Sequence, residues 1–172
     1  MNTASDAEDL LALLSEIRGW CQDPVIFSGR TETVSDWSVA QHCEHILKAD
    51  RLNLRAIEVL LRGGGEEIGE SGPTYPVFDQ GVIPRGVAKA PDYVMPANEP
   101  ELESVSLLAD RVLSGWTETL PRCESDSENP IRTGRGIAHH AMGILDIPDW
   151  IRFANLHTRH HVDIAHEILA QR

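Results

Sequence analysis

Apolar positions recur every three or four residues in four separate stretches of the chain. In the first stretch the repeat is carried by Leu10, Leu13, Leu14 and Ile17. This spacing gathers apolar side chains on one face of a helix. It predicts four amphipathic helices over residues 6–20, 38–62, 99–120 and 148–170. The 172 residues fit one domain with a substantial core, so we expect a single all-α domain, a four-helix bundle, over 1–172.

Polar residues at the predicted helix starts support these bounds. Ser38 followed by Gln41 is a capping box, in which each side chain accepts a hydrogen bond from a free backbone N–H of the first turn. The other expected N-caps are Asp6, Asn98 and Asp146. Gly63 and Pro121 are expected to end the second and third helices.

Three connections, over residues 21–36, 63–97 and 122–146, are longer than those of most compact domains. The strand-like pieces 76–78 and 81–83 are too short to build a sheet. Long crossovers suit a bundle whose consecutive helices are not all antiparallel neighbours. We therefore expect long crossover loops between the helices.

The charge of the chain argues against a polyanionic partner. Twenty-seven acidic residues stand against 15 basic ones, the net charge is −12, and only two basic residues are lysines. Binding to a phosphate backbone needs clustered Lys and Arg, so we expect no nucleic-acid partner and no anionic membrane surface. The sequence has neither an apolar run of membrane-spanning length nor a signal-peptide pattern at its start, and we expect a cytoplasmic location.

The cysteines predict neither a disulfide framework nor a thiolate zinc site. Cys21, Cys43 and Cys123 are far apart and odd in number, and no C-x-x-C pair occurs. Cys43 lies in the apolar pattern of the second helix and is expected to be a small core residue.

The last helix contains a histidine-rich run. On a helical wheel, His157 and His161 fall on the apolar face, His160 lies at its edge, and His166 lies opposite on the expected surface. Residues at i and i+4 have Cβ atoms roughly 6 Å apart, from which two imidazoles reach one metal ion with Zn–N bonds of about 2.0–2.1 Å. The alternative is that water or helix carbonyls satisfy both rings.

A metal site needs at least a third protein ligand. The second helix offers His42 and His45, and wheel position alone does not choose between them. His139 and His140 lie in the connection before the last helix, where a histidine doublet is more often solvated or loop-bracing than metal-binding. All-nitrogen ligation favours Zn, Ni or another late divalent metal over Mg or Ca.

Two motifs resemble those of the DinB-like superfamily. The segment from Trp37-Ser38 to His45 resembles the start of that family's second helix. The end of the chain, from His140 through Gly143, Trp150, Phe153 and His157-x-x-His160-His161, resembles its last helix and the lead-in to it. The resemblance implies a four-helix bundle with long crossovers and a divalent metal held by His45, His157 and His161.

Members of this superfamily include thiol-dependent S-transferases, so the resemblance implies either that activity or metal-assisted hydrolysis. The implied partner is a small-molecule substrate, and a thiol is one such substrate. The alternative is a non-catalytic metal-binding or interaction bundle. We also expect a homodimer, because bundles with an exposed apolar helix face often pair.

Overall fold

A computed structural model describes residues 3–68, 76–86, 89–126, 129–130 and 133–172. Helices dominate this part of the chain. They are α1 (Thr3–Trp20), α2 (Pro24–Phe27), α3 (Val39–Leu61), α4 (Pro76–Gln80), α5 (Leu102–Thr119) and α6 (Ile147–Ala170), with 3-10 turns at Asp92–Val94 and Leu120–Cys123. The four long helices are those predicted from the apolar pattern, and every boundary agrees within three residues.

The long helices form a bundle in which sequence neighbours are not always spatial neighbours. Both α1 and α3 pack against α5 and against α6. The long helices α1 and α3, which follow each other along the chain apart from the short α2, therefore lie diagonally opposite in the bundle. The same holds for α5 and α6. This arrangement confirms the expected crossovers, because a chain that reaches the opposite corner needs a long connection.

All four long helices contribute to one buried apolar cluster. Representative members, each at most 1% exposed, are Leu14, Ile57, Trp116 and Ile168. Full burial of such a side chain stabilises the fold by about 1.5–3 kcal/mol. Cys43 is fully buried in the same cluster, which confirms its predicted place in the core.

A small antiparallel sheet accompanies the helices and was not predicted. Its strands are β1 (Glu66–Glu67), β4 (Arg135–His139) and β5 (Gly143–Leu145), in the order β1-β4-β5, while β2 (Glu124–Asp126) and β3 (Asn129–Pro130) form a separate pair. A Cβ on Gly136 would lie 2.5 Å from Cγ2 of Ile144, so this strand position favours glycine. Strands of two to five residues show too little alternation to be recognised from sequence.

Neither strand-like piece of the second crossover is a strand. Residues 76–78 lie in α4, and 81–83 lie in the turn that follows. Residues 69–75 and 87–88 of that crossover are outside the described residues.

Two of the four expected helix caps are confirmed. Ser38 and Gln41 form the predicted capping box of α3, and Asp146 caps α6 in a second box with Asp149. Asn98 was the wrong cap for α5, which begins only at Leu102. Carbonyls of residues 97 and 98 accept hydrogen bonds from the Gln41 side chain, which holds this segment along α3 before α5 begins.

Asp6 was also the wrong cap, because α1 begins at Thr3 and Asp6 lies within its first turns. The buried carboxylate of Asp6 instead accepts hydrogen bonds from Arg152 at 3.2 Å and Asn155 at 2.9 Å. Asp6 therefore joins α1 to α6 across the bundle.

None of the helices in the described part of the chain is long and apolar enough to span a membrane.

Candidate metal centre

Three histidines from two helices meet between α3 and α6. One ring nitrogen from each of His45, His157 and His161 lies within 4.8 Å of the other two. These are the three residues that the family resemblance indicated. Three imidazoles this close are a donor set that late divalent metals favour.

The two helices that carry the cluster are tied together beside it. Thr158, next to His157, donates a hydrogen bond of 2.9 Å to the Asp50 carboxylate on α3. Asn53 donates a second one to the same carboxylate at 3.1 Å. Asp50 and Thr158 are fully buried, so this polar contact fixes the register of α6 against α3.

His45 has a defined tautomer. Its Nδ1 lies 2.9 Å from the carbonyl oxygen of Val94, and a carbonyl only accepts, so Nδ1 carries the proton. Nε2 of the neutral ring therefore presents a lone pair, 3.2 Å from Nε2 of His157. A backbone carbonyl on the second nitrogen is the usual way in which a metal-binding histidine is oriented.

The Val94 carbonyl is held in place by a clamped crossover, residues 94–98. Ala97 donates its N–H to Glu44 at 2.7 Å, and Gln41 donates to the Ala97 carbonyl at 3.2 Å. Lys48 donates to the Met95 carbonyl at 2.8 Å. These α3 side chains recur every three or four residues, so one face of the helix fixes the crossover beside His45.

His161 contacts a second histidine of α3, His42, which lies outside the cluster. Nδ1 of His161 lies 3.0 Å from Nδ1 of His42, and Nε2 of His42 lies 3.0 Å from the hydroxyl of Ser35. This leaves Nε2 of His161 to face the cluster. The sequence left His42 and His45 as alternatives for the third position, and the structure places His45 in the cluster and His42 behind it.

Two aromatic rings flank the cluster. The Trp37 ring centre lies 5.0 Å from that of His45 and 6.0 Å from that of His161, with which it is stacked. Phe153 stacks on His157 at 5.5 Å. His45 is only 3% exposed, and His157 and His161 are half-buried, so α6 carries the less buried side of the cluster.

Burial keeps the cluster histidines uncharged. It lowers the pKa of His157 and His161 well below the ordinary value, and that of His45 in the same direction. Neighbouring histidines lower the pKa of His157 and His161 further. Metal binding requires neutral imidazoles, and the folded site supplies them without first losing protons at neutral pH.

The nitrogens of His45 and His157 have the spacing that a divalent ion imposes on two of its ligands. Zn–N bonds of about 2.0–2.1 Å at tetrahedral angles separate two ligand nitrogens by about 3.3 Å. The nitrogens of His45 and His157 are 3.2 Å apart. Nδ1 of His157 is buried and has no hydrogen-bond partner in the described part of the chain, so Nε2 is the nitrogen through which this ring makes its strong interaction.

The other histidines lie outside the cluster. His139 ends β4 rather than lying in a loop, and it braces the turn to β5 by accepting a hydrogen bond from the Ala141 N–H; its ring packs on Phe153 at 4.4 Å. Burial lowers the pKa of His139 to about 4. His160 is half-buried, and His166 is exposed and paired with Glu16, as predicted for a surface residue.

No known family model, curated protein or solved structure matches this chain. The DinB-like resemblance therefore rests on the two motifs of α3 and α6.

Sequence reasoning did not find two of the groups that surround the cluster. Val94 contributes only a backbone carbonyl, which leaves no trace in the side-chain pattern. Ser35 stands two residues before Trp37, and its hydroxyl accepts the Trp37 N–H at 3.1 Å. A Ser-x-Trp turn leading into a capping box is the signal that points to it.

Proposed function

We propose that His45, His157 and His161 hold one divalent metal ion with open coordination positions, in a metal-dependent enzyme of the DinB-like type. The observation that carries the proposal is the hydrogen bond from Nδ1 of His45 to the Val94 carbonyl. It directs an unprotonated nitrogen at a second histidine nitrogen 3.2 Å away. Three protein ligands leave a tetrahedral ion one position for water or substrate.

A bound divalent ion would supply Lewis acidity, which lowers the pKa of a bound water or thiol. The chain's own part is to position and to shield. The clamped crossover and the α3–α6 contact at Asp50 hold the ligands, while Trp37 and Phe153 keep bulk water from two sides of the cluster.

The charge of the site favours an anionic reacting group. The cluster consists of three neutral imidazoles and, among the described residues, includes no carboxylate. A divalent ion would keep its full charge there, which stabilises hydroxide or thiolate. We therefore propose hydrolysis or thiol-dependent S-transfer on a small molecule, with zinc or nickel as the metal. The homodimer and the cytoplasmic location remain predictions.

A second candidate is a non-catalytic bundle whose histidines bond one another. The same 3.2 Å separation allows Nε2 of His157 to donate to Nε2 of His45 without any metal. In that case the contact between His45 and His157 is an ordinary hydrogen bond, and the protein is an interaction module.

Titration with Co²⁺ distinguishes the two candidates, because tetrahedral Co²⁺ has a strong visible spectrum. We expect one Co²⁺ per chain, displaced by Zn²⁺, and loss of binding in His161→Ala. His160→Ala, on the same helix turn but outside the cluster, is the matched control. Esters, amides and thiol acceptors are then assayed with the metal-loaded parent and with His161→Ala. Absence of Co²⁺ binding favours the second candidate. Metal binding without any activity difference indicates a metal-binding bundle that is not catalytic.

A further inference from the structure

The chain His161–His42–Ser35 leads away from the cluster and is not accounted for by metal ligation. The two Nδ1 atoms of His161 and His42 are 3.0 Å apart, and the hydroxyl of Ser35 is 3.0 Å from Nε2 of His42. His42 is 2% exposed, so these contacts take the place of water around its ring.

Each arrangement of protons along this chain fixes the state of His161. Of two neutral rings that meet at their Nδ1 atoms, one donates and the other accepts. If His42 donates, His161 carries its own proton on Nε2, and that nitrogen is no ligand. If His161 donates, its Nε2 bears a lone pair toward the cluster, and His42 carries a proton on Nε2.

Hydrogen bonding alone allows both arrangements, because in the first the Ser35 hydroxyl donates to Nε2 of His42. Only the second leaves Nε2 of His161 with a lone pair for a metal ion, and there the hydroxyl oxygen accepts. Nε2–H of His42 donates to Ser35, whose oxygen also accepts the N–H of Trp37 at 3.1 Å. A hydroxyl oxygen has two lone pairs, so it accepts both bonds. Ser35, in the short turn before α3, thus supplies a fixed acceptor for His42. His42, on α3, in turn supplies the acceptor for His161.

We propose that His42 is a positioning residue for His161: its Nδ1 accepts the Nδ1–H of His161 and keeps Nε2 of His161 directed at the metal. This proposal rests on the metal site proposed above. It gives His42 a role distinct from that of His45, although both lie on one face of α3. His45 is held by a backbone carbonyl and binds, whereas His42 is held by a hydroxyl and orients.

Two variants of His42 separate orientation from ligation. In His42→Asn, the side-chain oxygen can take the place of Nδ1 and still accept from His161. His42→Leu fills similar space without an acceptor and leaves a buried N–H unpaired. His166→Leu removes an exposed histidine of α6 and is the control.

The test measures the Co²⁺ dissociation constant of the full chain and of each variant. Loss of a group that orients a metal ligand weakens binding about 10–100-fold, and we expect this for His42→Leu. His42→Asn and His166→Leu should stay close to the parent chain. Long-range ¹H–¹⁵N spectra of the Zn²⁺-loaded parent should show His161 protonated at Nδ1 and His42 not bound to metal.

Each other result overturns the proposal in a recognisable way. Unchanged affinity in His42→Leu shows that His42 does not orient His161. Loss of binding as complete as in His161→Ala shows that His42 is itself a ligand. A parent chain that binds no Co²⁺ overturns the metal site and the role of His42 together.

Discussion

Nδ1 of His45 donates a hydrogen bond of 2.9 Å to the carbonyl of Val94, so a helix side chain and a crossover backbone define one orientation of the ring. Val94 is 5% exposed, and the segment that carries it is clamped along α3. The long second crossover is therefore part of the site rather than a passive connection.

Releasing the clamped crossover should loosen the metal site. Glu44→Leu removes the acceptor of the Ala97 N–H and the partner of Lys48 at 2.9 Å. We expect a loss of about 1–2 kcal/mol in the free energy of unfolding, weaker metal binding and faster amide exchange at Ala97. Metal titration and hydrogen exchange measure the last two effects.

Glu44→Gln is the matched control, because its amide oxygen still accepts from Ala97. Equal amide exchange at Ala97 in the two variants would show that this hydrogen bond does not hold the crossover.

The buried carboxylate of Asp50 should make stability depend on pH. Burial raises its pKa to about 7, well above the ordinary value. Between about pH 4 and pH 7 the folded chain holds a proton that the unfolded chain has lost. The free energy of unfolding attributable to Asp50 therefore falls as pH rises through this window and is constant above it.

Asp50→Asn lacks this titration and keeps an oxygen that can accept from Thr158. We expect the variant's stability relative to the parent chain to rise by about 3 kcal/mol between pH 5 and pH 8. Denaturant unfolding of metal-free protein at several pH values measures this difference. A difference that is the same at every pH would rule out the raised pKa.

The role of Asp6 as a bridge rather than a cap has its own test. Serine is a good N-cap, yet Asp6→Ser should destabilise the fold by about 2 kcal/mol, because it removes the charged acceptor of Arg152 and Asn155. Thermal unfolding measures the change.

Asp9→Ser removes the exposed ion pair with Arg159 and is the control, with an expected loss under about 1 kcal/mol. If Asp6→Ser were as stable as the parent chain, the bridge to α6 would contribute nothing.

The sequence predicted the helices because their apolar periodicity is long, and it predicted the caps at Ser38 and Asp146 because those side chains act locally. It failed at Asp6, whose carboxylate binds side chains of α6, and at Asn98, whose backbone carbonyl is bound by Gln41 of α3 before α5 begins. The sheet was missed because β1 and β4 pair residues about 70 positions apart, as Glu66 does with Gly136.

The sequence alone also predicted only some of the histidines of the candidate site. Helical spacing put His157 and His161 on one face, since both lie on α6. The choice between His42 and His45 depends on how α3 and α6 face each other and on the Val94 carbonyl. Neither is encoded in the spacing along α3, and only the family resemblance favoured His45.

The most direct test of the central claim is anomalous scattering from crystals of protein purified without chelators or added metal, recorded above and below the zinc and nickel edges. We predict one anomalous peak within bonding distance of His45, His157 and His161, absent in crystals of His161→Ala. The contradicting result is a stoichiometric metal whose anomalous peak lies elsewhere in the protein, with no peak at the three histidines at either edge.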